Sequence, residues 1–358
     1  MHEGIKAIKR LSEKHNTEQM SSQKYRETVI ARLREAVPFA AACCTVVDPY
    51  TLLSTGAVTE QGVENIHSKL FEHEYLQDDY NKYDELAQAR VPVATLSAAT
   101  GGQLERSSRY REALQPAGFG DELRAALQSE GACWGYLTLF RSQDSAMFQE
   151  EERALVASVT PEIGAMLRSY TLQLAAVKRS AQEEEHGIMV LSEQLIPLTF
   201  NAVARKWLSR LREMEQLGDD TLPNPVRAVC SRALADRQSG NAATSRAKIS
   251  LRLAQGNFLT IMASLLEGPA GLTQLAVLFV PAKSSDILPI IAEAYALSVR
   301  ELQIVEHIAK GLSTKELAEV LHISRYTVQD HLKSIFAKTG VTSRRELNWT
   351  LFSQYNLD

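Results

Sequence analysis

Long apolar runs are missing from this sequence. Nowhere do eighteen apolar residues follow one another, so no membrane-spanning helix is expected. The opening residues Met1-His2-Glu3-Gly4-Ile5-Lys6 lack the apolar core of a signal peptide. A cytoplasmic protein, with no membrane contact, is the resulting expectation. Cysteine is scarce: Cys43, Cys44, Cys133 and Cys230 fit no CxxC zinc or redox spacing, and the adjacent pair is awkwardly placed for a bridge. They read as buried small residues in a reducing compartment, with thiol sensing at Cys43 and Cys44 as the alternative. The eight histidines are scattered, so neither a metal nor a haem is expected, and no other cofactor is indicated. Gly-x-Ser-x-Gly, His-Glu-x-x-His, paired catalytic motifs and a phosphate-binding Gly-x4-Gly-Lys-Ser/Thr loop are all absent, which argues against an enzyme. Charge of one sign is not in excess either. With 39 Lys and Arg against 43 Asp and Glu the net charge is −4, so any nucleic-acid surface has to be local.

What is present is an ordinary globular balance, 45% hydrophobic and 23% charged, over 358 residues, enough for two or three cores. Tyr25, Val29, Leu33 and Val37 recur at helical spacing, and residues 40–47 read as a buried strand. Strand-like runs at 91–96 and 134–140 alternate with loops and short helices in a mixed α/β pattern. A long helix is predicted from about Phe148 into the 180s. Its Ile163, Leu167, Tyr170, Leu174, Val177 and Ala181 step by heptad spacing, which suggests a coiled-coil seam and a homodimer. The alternative is one amphipathic helix packed on the preceding domain. Residues 187–283 read as a second small α+β domain. Residues 187–191 and 195–200 can pair as strands, and Asn201 can cap a helix carrying Val203, Trp207 and Leu211. After a loop at 218–225, strands are expected at 248–254, 258–266 and 275–280, the first two joined by a Gln255-Gly256-Asn257 turn. Residues 284–296 form a linking helix.

Residues 297–358 are the most informative. Ser298…Glu301, Ser313…Glu316 and Ser343…Glu346 have capping-box spacing, and Ser324 marks a further helix start. The pairs Leu297–Leu302, Leu312–Leu317 and Ile323–Val328 suit hydrophobic staples, and Gly311 and Gly340 suit helix ends. Four short helices are predicted, with inward faces of Ile304, Val305, Ile308; Leu317, Val320, Leu321; and Val328, Leu332, Ile335, Phe336. Only His322 and Ile323 separate the second helix from the Ser324 cap, which forces a tight helix-turn-helix. The third helix, 324–338, then presents Arg325, Tyr326, Gln329, Asp330 and Lys333, side chains of the kind that read base edges in a major groove. Arg325 suits a guanine and Gln329 an adenine. Ser313, Thr314 and Lys315 open the second helix where N–H groups and a cation can hold a phosphate, and Thr327, Lys333, Lys338 and Arg344 are further phosphate candidates. From residue 323 to 347 five cations face two carboxylates, a local excess of +3. The alternative is a four-helix protein-interaction module with a merely solvated polar face.

The runs Leu297-Ser-Val-Arg-Glu301, Gly311 to Ala318, Ile323 to Phe336, Lys338-Thr-Gly340-Val341 and Ser343 to Leu347 closely resemble LuxR-type helix-turn-helix domains. The resemblance implies double-stranded DNA and RNA polymerase as partners. It places Thr327, Lys338 and Arg344 at backbone positions and Arg325, Tyr326 and Gln329 at base-reading positions. Many members carry lysine where this chain has Gln329, so base preference is expected to differ; His331 matches the family and reads as structural. The front end has no acidic cluster of a phospho-acceptor domain and no tryptophan-rich pattern of acyl-homoserine-lactone receptors. Gly118 to Arg124, Trp134 to Leu139, Phe148…Glu151 and Pro161…Arg168 resemble regulators with a GAF-like sensor, over residues 1–160, joined by a connecting helix at 161–186. Gly187 to Leu191 and Asn201…Leu208 resemble a PAS domain over 187–283. These likenesses imply a small-molecule or redox signal. Arg109, Tyr110, Arg124 and Trp134 are the candidate pocket groups; the alternative leaves Trp134 in the core and pairs Arg124 with Glu122 or Asp121. The overall expectation is a dimeric one-component regulator reading a two-fold-symmetric operator, with control by a protein partner as the alternative.

Overall fold

A computed structural model describes residues 3–13, 20–172, 186–240, 247–253, 258–268 and 273–353. Among the described residues ten strands form two five-stranded sheets. The first contains β1 (Ala41–Val47), β2 (Ser54–Thr59), β3 (Val93–Thr95), β4 (Phe119–Ser129) and β5 (Ala132–Ser142), in the order β2-β1-β5-β4-β3. The second contains β6 (Gly187–Ser192), β7 (Pro197–Phe200), β8 (Lys248–Arg252), β9 (Phe258–Glu267) and β10 (Thr273–Pro281), in the order β7-β6-β10-β9-β8. Counted from its own first strand, each sheet follows the same order, and every pairing is antiparallel.

Local chemistry explains much of this. β4 and β5 meet at Ser129↔Ala132, leaving Glu130 and Gly131 as a two-residue turn with φ of 52° and 82°. Two positive φ values in a row match the right-handed twist of a hairpin, and Gly131 takes up that conformation without a Cβ penalty. Ser21 accepts a bond from Lys24 N to start helix Ser22–Arg34, and Asn201 accepts one from Ala204 N to start helix Ala202–Glu215.

The first sheet is covered on one face by helices Glu3–Glu13, Ser22–Arg34 and Thr160–Leu172, which bury Ile5, Val29, Leu33, Leu123, Trp134 and Leu139 among others. The expected long helix from Phe148 is two helices, Glu150–Ala157 and Thr160–Leu172. Pro161 is the reason. Its ring would clash with the carbonyl four residues back and it has no N–H to give, so the chain breaks at Ser158 and Val159 and restarts with proline in the first turn. Ile163, Leu167 and Tyr170 of the heptad pattern pack into the core of the same chain's first sheet. Leu174, Val177 and Ala181 lie outside the described residues, as does the Gln255-Gly256-Asn257 turn.

Helices Ala202–Glu215 and Asn224–Gln238 cover one face of the second sheet. The second of these helices was not expected from the sequence, where residues 218–225 read as loop. Pro225 instead sits in its first turn, and Val226, Ala228, Val229, Cys230, Ala233 and Leu234 are all buried. It is buried over most of its length because it is sandwiched. β9 packs on one side, and β2 and helix His67–Tyr75 pack on the other. Phe71, Tyr75 and Leu76 of the first half thereby join the core of the second.

Helix Ser284–Ala294 links the second sheet to the C-terminal helices and shares one core with them. Among the described residues no helix is long and apolar enough to cross a membrane.

Candidate nucleic-acid interface

The C-terminal unit is built from helices Val299–Ala309, Thr314–Val320, Arg325–Thr339 and Arg344–Asn348, continued by a π-turn at Trp349–Ser353. Its breaks follow the serine pattern. Ser298 Oγ accepts from Glu301 N at 3.3 Å while Glu301 Oε2 accepts from Ser298 N at 2.6 Å; Ser313 and Glu316 repeat this at 3.3 and 2.7 Å. Each pair satisfies two N–H groups that a helix start leaves open. The third box is half formed. Ser343 Oγ accepts from Glu346 N at 3.1 Å, but the Glu346 carboxylate turns to the N–H and hydroxyl of Thr342. Gly340 closes the third helix at φ 73°, its N–H donating to Phe336 O at 2.9 Å.

Between the second and third helices His322 takes a left-handed φ of 52°, and Ile323 N reaches back to Ala318 O at 3.0 Å. The turn is two residues deep, and Ser324 starts the third helix by accepting from Thr327 N at 3.1 Å. Leu317, Ala318 and Leu321 of the second helix face the core. Val320, expected to join them, is 51% exposed, because a seven-residue helix presents only one narrow stripe.

On the outer face of the third helix Arg325, Tyr326 and Gln329 are exposed, Tyr326 by 81%. Among the described residues none of the three has a side-chain hydrogen bond or ion pair, so all their donors and acceptors face outward. Asp330 pairs with Lys333 at 3.2 Å on the same exposed surface.

The other candidates divide. Lys315 is exposed at the start of the second helix. Ser313 is used by its capping box, and Thr314 Oγ1 accepts from Arg344 Nη2 at 2.9 Å. Arg344 also donates to Leu312 O at 3.1 Å, so it pins the fourth helix to the start of the second. Thr327 shares a hydroxyl bond of 2.9 Å with Ser324. Lys338 pairs with Glu301 at 2.7 Å, and Ser334 Oγ donates to the same carboxylate at 2.6 Å. His331 is half-buried beside the core.

Glu301 is 3% exposed, and sequence spacing gave it only a capping role. Burial alone pushes its pKa up, yet Lys338, Ser334 and Ser298 outweigh this and hold it at about 2. A carboxyl held below its unfolded value stabilises the fold at neutral pH and loses that contribution as the pH falls from about 5 towards 2. At 1.36 kcal/mol per pH unit the contribution is at most about 3 kcal/mol. Glu301→Gln is therefore expected to lower the melting point of the protein at pH 7, and the gap to wild type should narrow as the pH is lowered to 3. A gap independent of pH would rule this account out.

The four front-end candidates do not line one cleft. Arg109 is fully buried, with Nε and Nη2 on Glu122 Oε2 at 3.1 and 2.9 Å and Nη2 also on Tyr80 O at 2.9 Å. Arg124 is 5% exposed, donates to Glu74 Oε2 at 2.6 Å and to Asn81 O at 2.8 Å, and lies 3.9 Å over the Tyr83 ring. Asp121, its other expected partner, instead accepts from Ser97 and from Phe148 N. Tyr110 is buried in a neighbouring apolar cluster. Trp134 lies on the opposite face of the sheet, against the terminal helices. Glu74 and Asp79, which complete the network, are 50 and 30 residues from their arginines, and no local spacing marks them. The thiols at 43 and 44 are buried; burial pushes Cys44 up to about 12 and raises Cys43 as well.

Four capped helices with a two-residue turn, and a free polar face on the third, define a helix-turn-helix domain. Residues 295–349 match the family described as "Bacterial regulatory proteins, luxR family", so the C-terminal domain is a luxR-family helix-turn-helix domain. The nitrate/nitrite response regulator protein NarP of Escherichia coli (strain K12) is 44% identical over 48 residues, 13% of this chain and 22% of that one. The oxygen regulatory protein NreC of Staphylococcus aureus (strain JH9) is 49% identical over 51 residues, 14% of this chain and 24% of that one. The chain thus spans less than a quarter of the length of these relatives. Among solved structures, Escherichia coli SdiA aligns over 98% of both chains at 11% identity and a TM-score of 0.30, too low to define a common fold.

Proposed function

We propose that this protein is a sequence-specific DNA-binding transcriptional regulator, acting as a homodimer that sets helix 324–338 of each copy into one half of a two-fold-symmetric operator. The observation that carries the reading is the outer face of that helix, where Arg325, Tyr326 and Gln329 stand exposed and unengaged among the described residues. Arg325 suits the O6 and N7 of a guanine, and Gln329 the N6 and N7 of an adenine. Ser313, Thr314, Lys315, Thr327, Lys333, Lys338 and Arg344 are the proposed backbone contacts, and Lys338 and Arg344 also hold Glu301 and the start of the second helix. The names of the two relatives, a response regulator and a regulatory protein, agree with this role. RNA polymerase is the partner such a regulator addresses.

The two front sheets, GAF-like over the first and PAS-like over the second, are the sensing half of a one-component regulator answering to a small-molecule effector. Their common strand order supports reading them as two versions of one architecture.

The test is salt-dependent binding of the full-length protein to a randomised DNA pool beside an Arg325→Ala, Gln329→Ala double variant. Wild type is expected to enrich a two-fold-symmetric site. The variant should lose about 30-fold or more of its affinity for that site, two contacts at roughly 1–3 kcal/mol each, while weak non-specific binding persists. No enrichment together with a flat salt response would defeat the reading.

A further inference from the structure

A cleft of about 1170 Å³ lies between the two sheets and the linking helix, away from the helix-turn-helix face. Its walls are the start of helix Ser22–Arg34, β1 and β2, the end of helix Thr160–Leu172, the end of helix Ala202–Glu215, and β8; Phe258 and Ile290 complete them. Much of the surface is apolar, with Val46, Leu167, Leu172, Leu211, Leu253 and Phe258 among the lining residues. Small-molecule sites of roughly 300–1,000 Å³ commonly sit at such domain boundaries, mostly apolar with a few polar groups to orient the ligand.

Two carboxylates join the walls. Asp48 Oδ2 accepts from Ser250 N at 3.3 Å, and Glu215 Oε1 accepts from Ala57 N at 2.8 Å. Both are otherwise satisfied, Asp48 by Tyr50 N and Thr51 N, and Glu215 by the backbone and side-chain amides of Asn224. Arg252 donates to Tyr170 O at 2.9 Å, and Arg210 lies exposed against the Trp207 ring.

Arg26 differs from all of these. It is 6% exposed and lines the cleft, yet its guanidinium donates only to carbonyls: Nε to Ser22 O at 3.2 Å, and Nη1 to Cys44 O and Gly56 O at 3.0 and 3.2 Å. Among the described residues no carboxylate oxygen lies within 4.0 Å of it. Burial pushes its pKa down. Glu215 and Glu27 act on it only from beyond ion-pair distance. A buried cation with no direct carboxylate contact is costly, and an anion entering the cleft relieves that cost through a charge-assisted, bidentate-capable contact.

We infer that this cleft is the effector site and that it takes an amphipathic monocarboxylic acid, its carboxylate on Arg26 and its apolar body along Leu167, Leu172, Leu211 and Phe258. The inference rests on the regulator reading and gives it a ligand class. It also supplies a route to the DNA-binding domain. Ile290 belongs to helix Ser284–Ala294, whose last carbonyl accepts from Arg168 at 2.6 Å and whose end leads, after four intervening residues, into helix Val299–Ala309. A ligand that separates or closes the walls shifts the root of that domain.

Binding of decanoate and of decan-1-ol to the full-length protein, followed by titration calorimetry below their aggregation limits, tests this. Decanoate is expected to bind saturably, one per chain, at least about tenfold tighter than the alcohol, the least expected of a charged hydrogen bond. Arg26→Gln should remove that difference and leave the alcohol unaffected. Thr171→Trp, which fills the half-exposed mouth, should abolish both while circular dichroism stays that of wild type. Should Arg26→Gln fail to fold, the acid–alcohol comparison and Thr171→Trp still decide. Equal binding of acid and alcohol, decanoate binding that survives Thr171→Trp, or no saturable binding overturns the inference. A protein that selects an operator but fails these tests loses only its effector site; one that also selects no DNA loses the regulator reading too.

Discussion

Replacing Arg109 by leucine is expected to destabilise the first domain by about 3–5 kcal/mol, the cost of removing one partner from a fully buried ion pair. Arg109 touches Glu122 through two nitrogens, lies 4.0 Å from Asp79, and binds the Asp79 carboxylate again through its own backbone N–H at 2.6 Å. Burial raises the pKa of Asp79, and the backbone N–H and charge of Arg109 bring it below the ordinary carboxylate value. Without the guanidinium two carboxylates stay in a water-free site. Arg124, 3.8 Å from Glu122 and already paired with Glu74, compensates only in part. Calorimetry of the full chain should show the affected transition at least about 6 °C lower, at roughly 2 °C per kcal/mol for a domain of this size. Removing both charges together, Arg109→Leu with Glu122→Leu, should recover part of the loss, since the pair then leaves no orphan behind. An unchanged melting point with a lost effector response would instead make Arg109 a ligand group.

Gly164→Ala should destabilise the same domain, against the usual preference of helices for alanine. Gly164 lies inside helix Thr160–Leu172, where alanine would ordinarily gain about 1 kcal/mol. A Cβ there would stand 2.5 Å from Gln128 O and 2.8 Å from its carbonyl carbon, and neither backbone atom can swing aside. The helix would have to lift off β4, and the net loss is expected at about 1–3 kcal/mol. The check is the thermal midpoint of the variant. A rise would show that the helix does not dock this closely, and the cleft wall formed by Leu167 and Leu172 would then be misplaced too.

The parts of the protein that were legible in the sequence are those where cause and effect lie within one turn of chain. Ser298, Ser313 and Ser324 each cap an N–H three residues on, so the helix starts of the C-terminal domain follow from residue type and spacing. The same holds for the two-residue turn at His322, for the exposed face of Arg325, Tyr326 and Gln329, and for the strands of the second sheet; β2 and β4 of the first sheet were not read from the sequence. Pro161 carries a cause just as local, although one long helix from Phe148 was expected across it; proline's missing N–H decided otherwise.

Tertiary structure alone decided where charges and faces met. Arg124 stands opposite Thr138, and strict alternation would put Trp134 on the same face, but the register shift between Leu127 and Gln128 makes Trp134 the extra residue and turns it to the other face, so the two serve different cores. The ion pair of Lys338 exists only because the fold brings it to Glu301, 37 residues away. Helix Asn224–Gln238 has apolar residues all round, mixed with its polar ones, because elements of both sheets pack on it from two sides. Arg26 shows as a cation without a carboxylate only once β1 and β2 surround it. Capping and turn formation are settled by atoms a few bonds apart, and the sequence by itself determines them. Burial, pairing and the cleft depend on which distant segments share a face, and only the packed chain sets that.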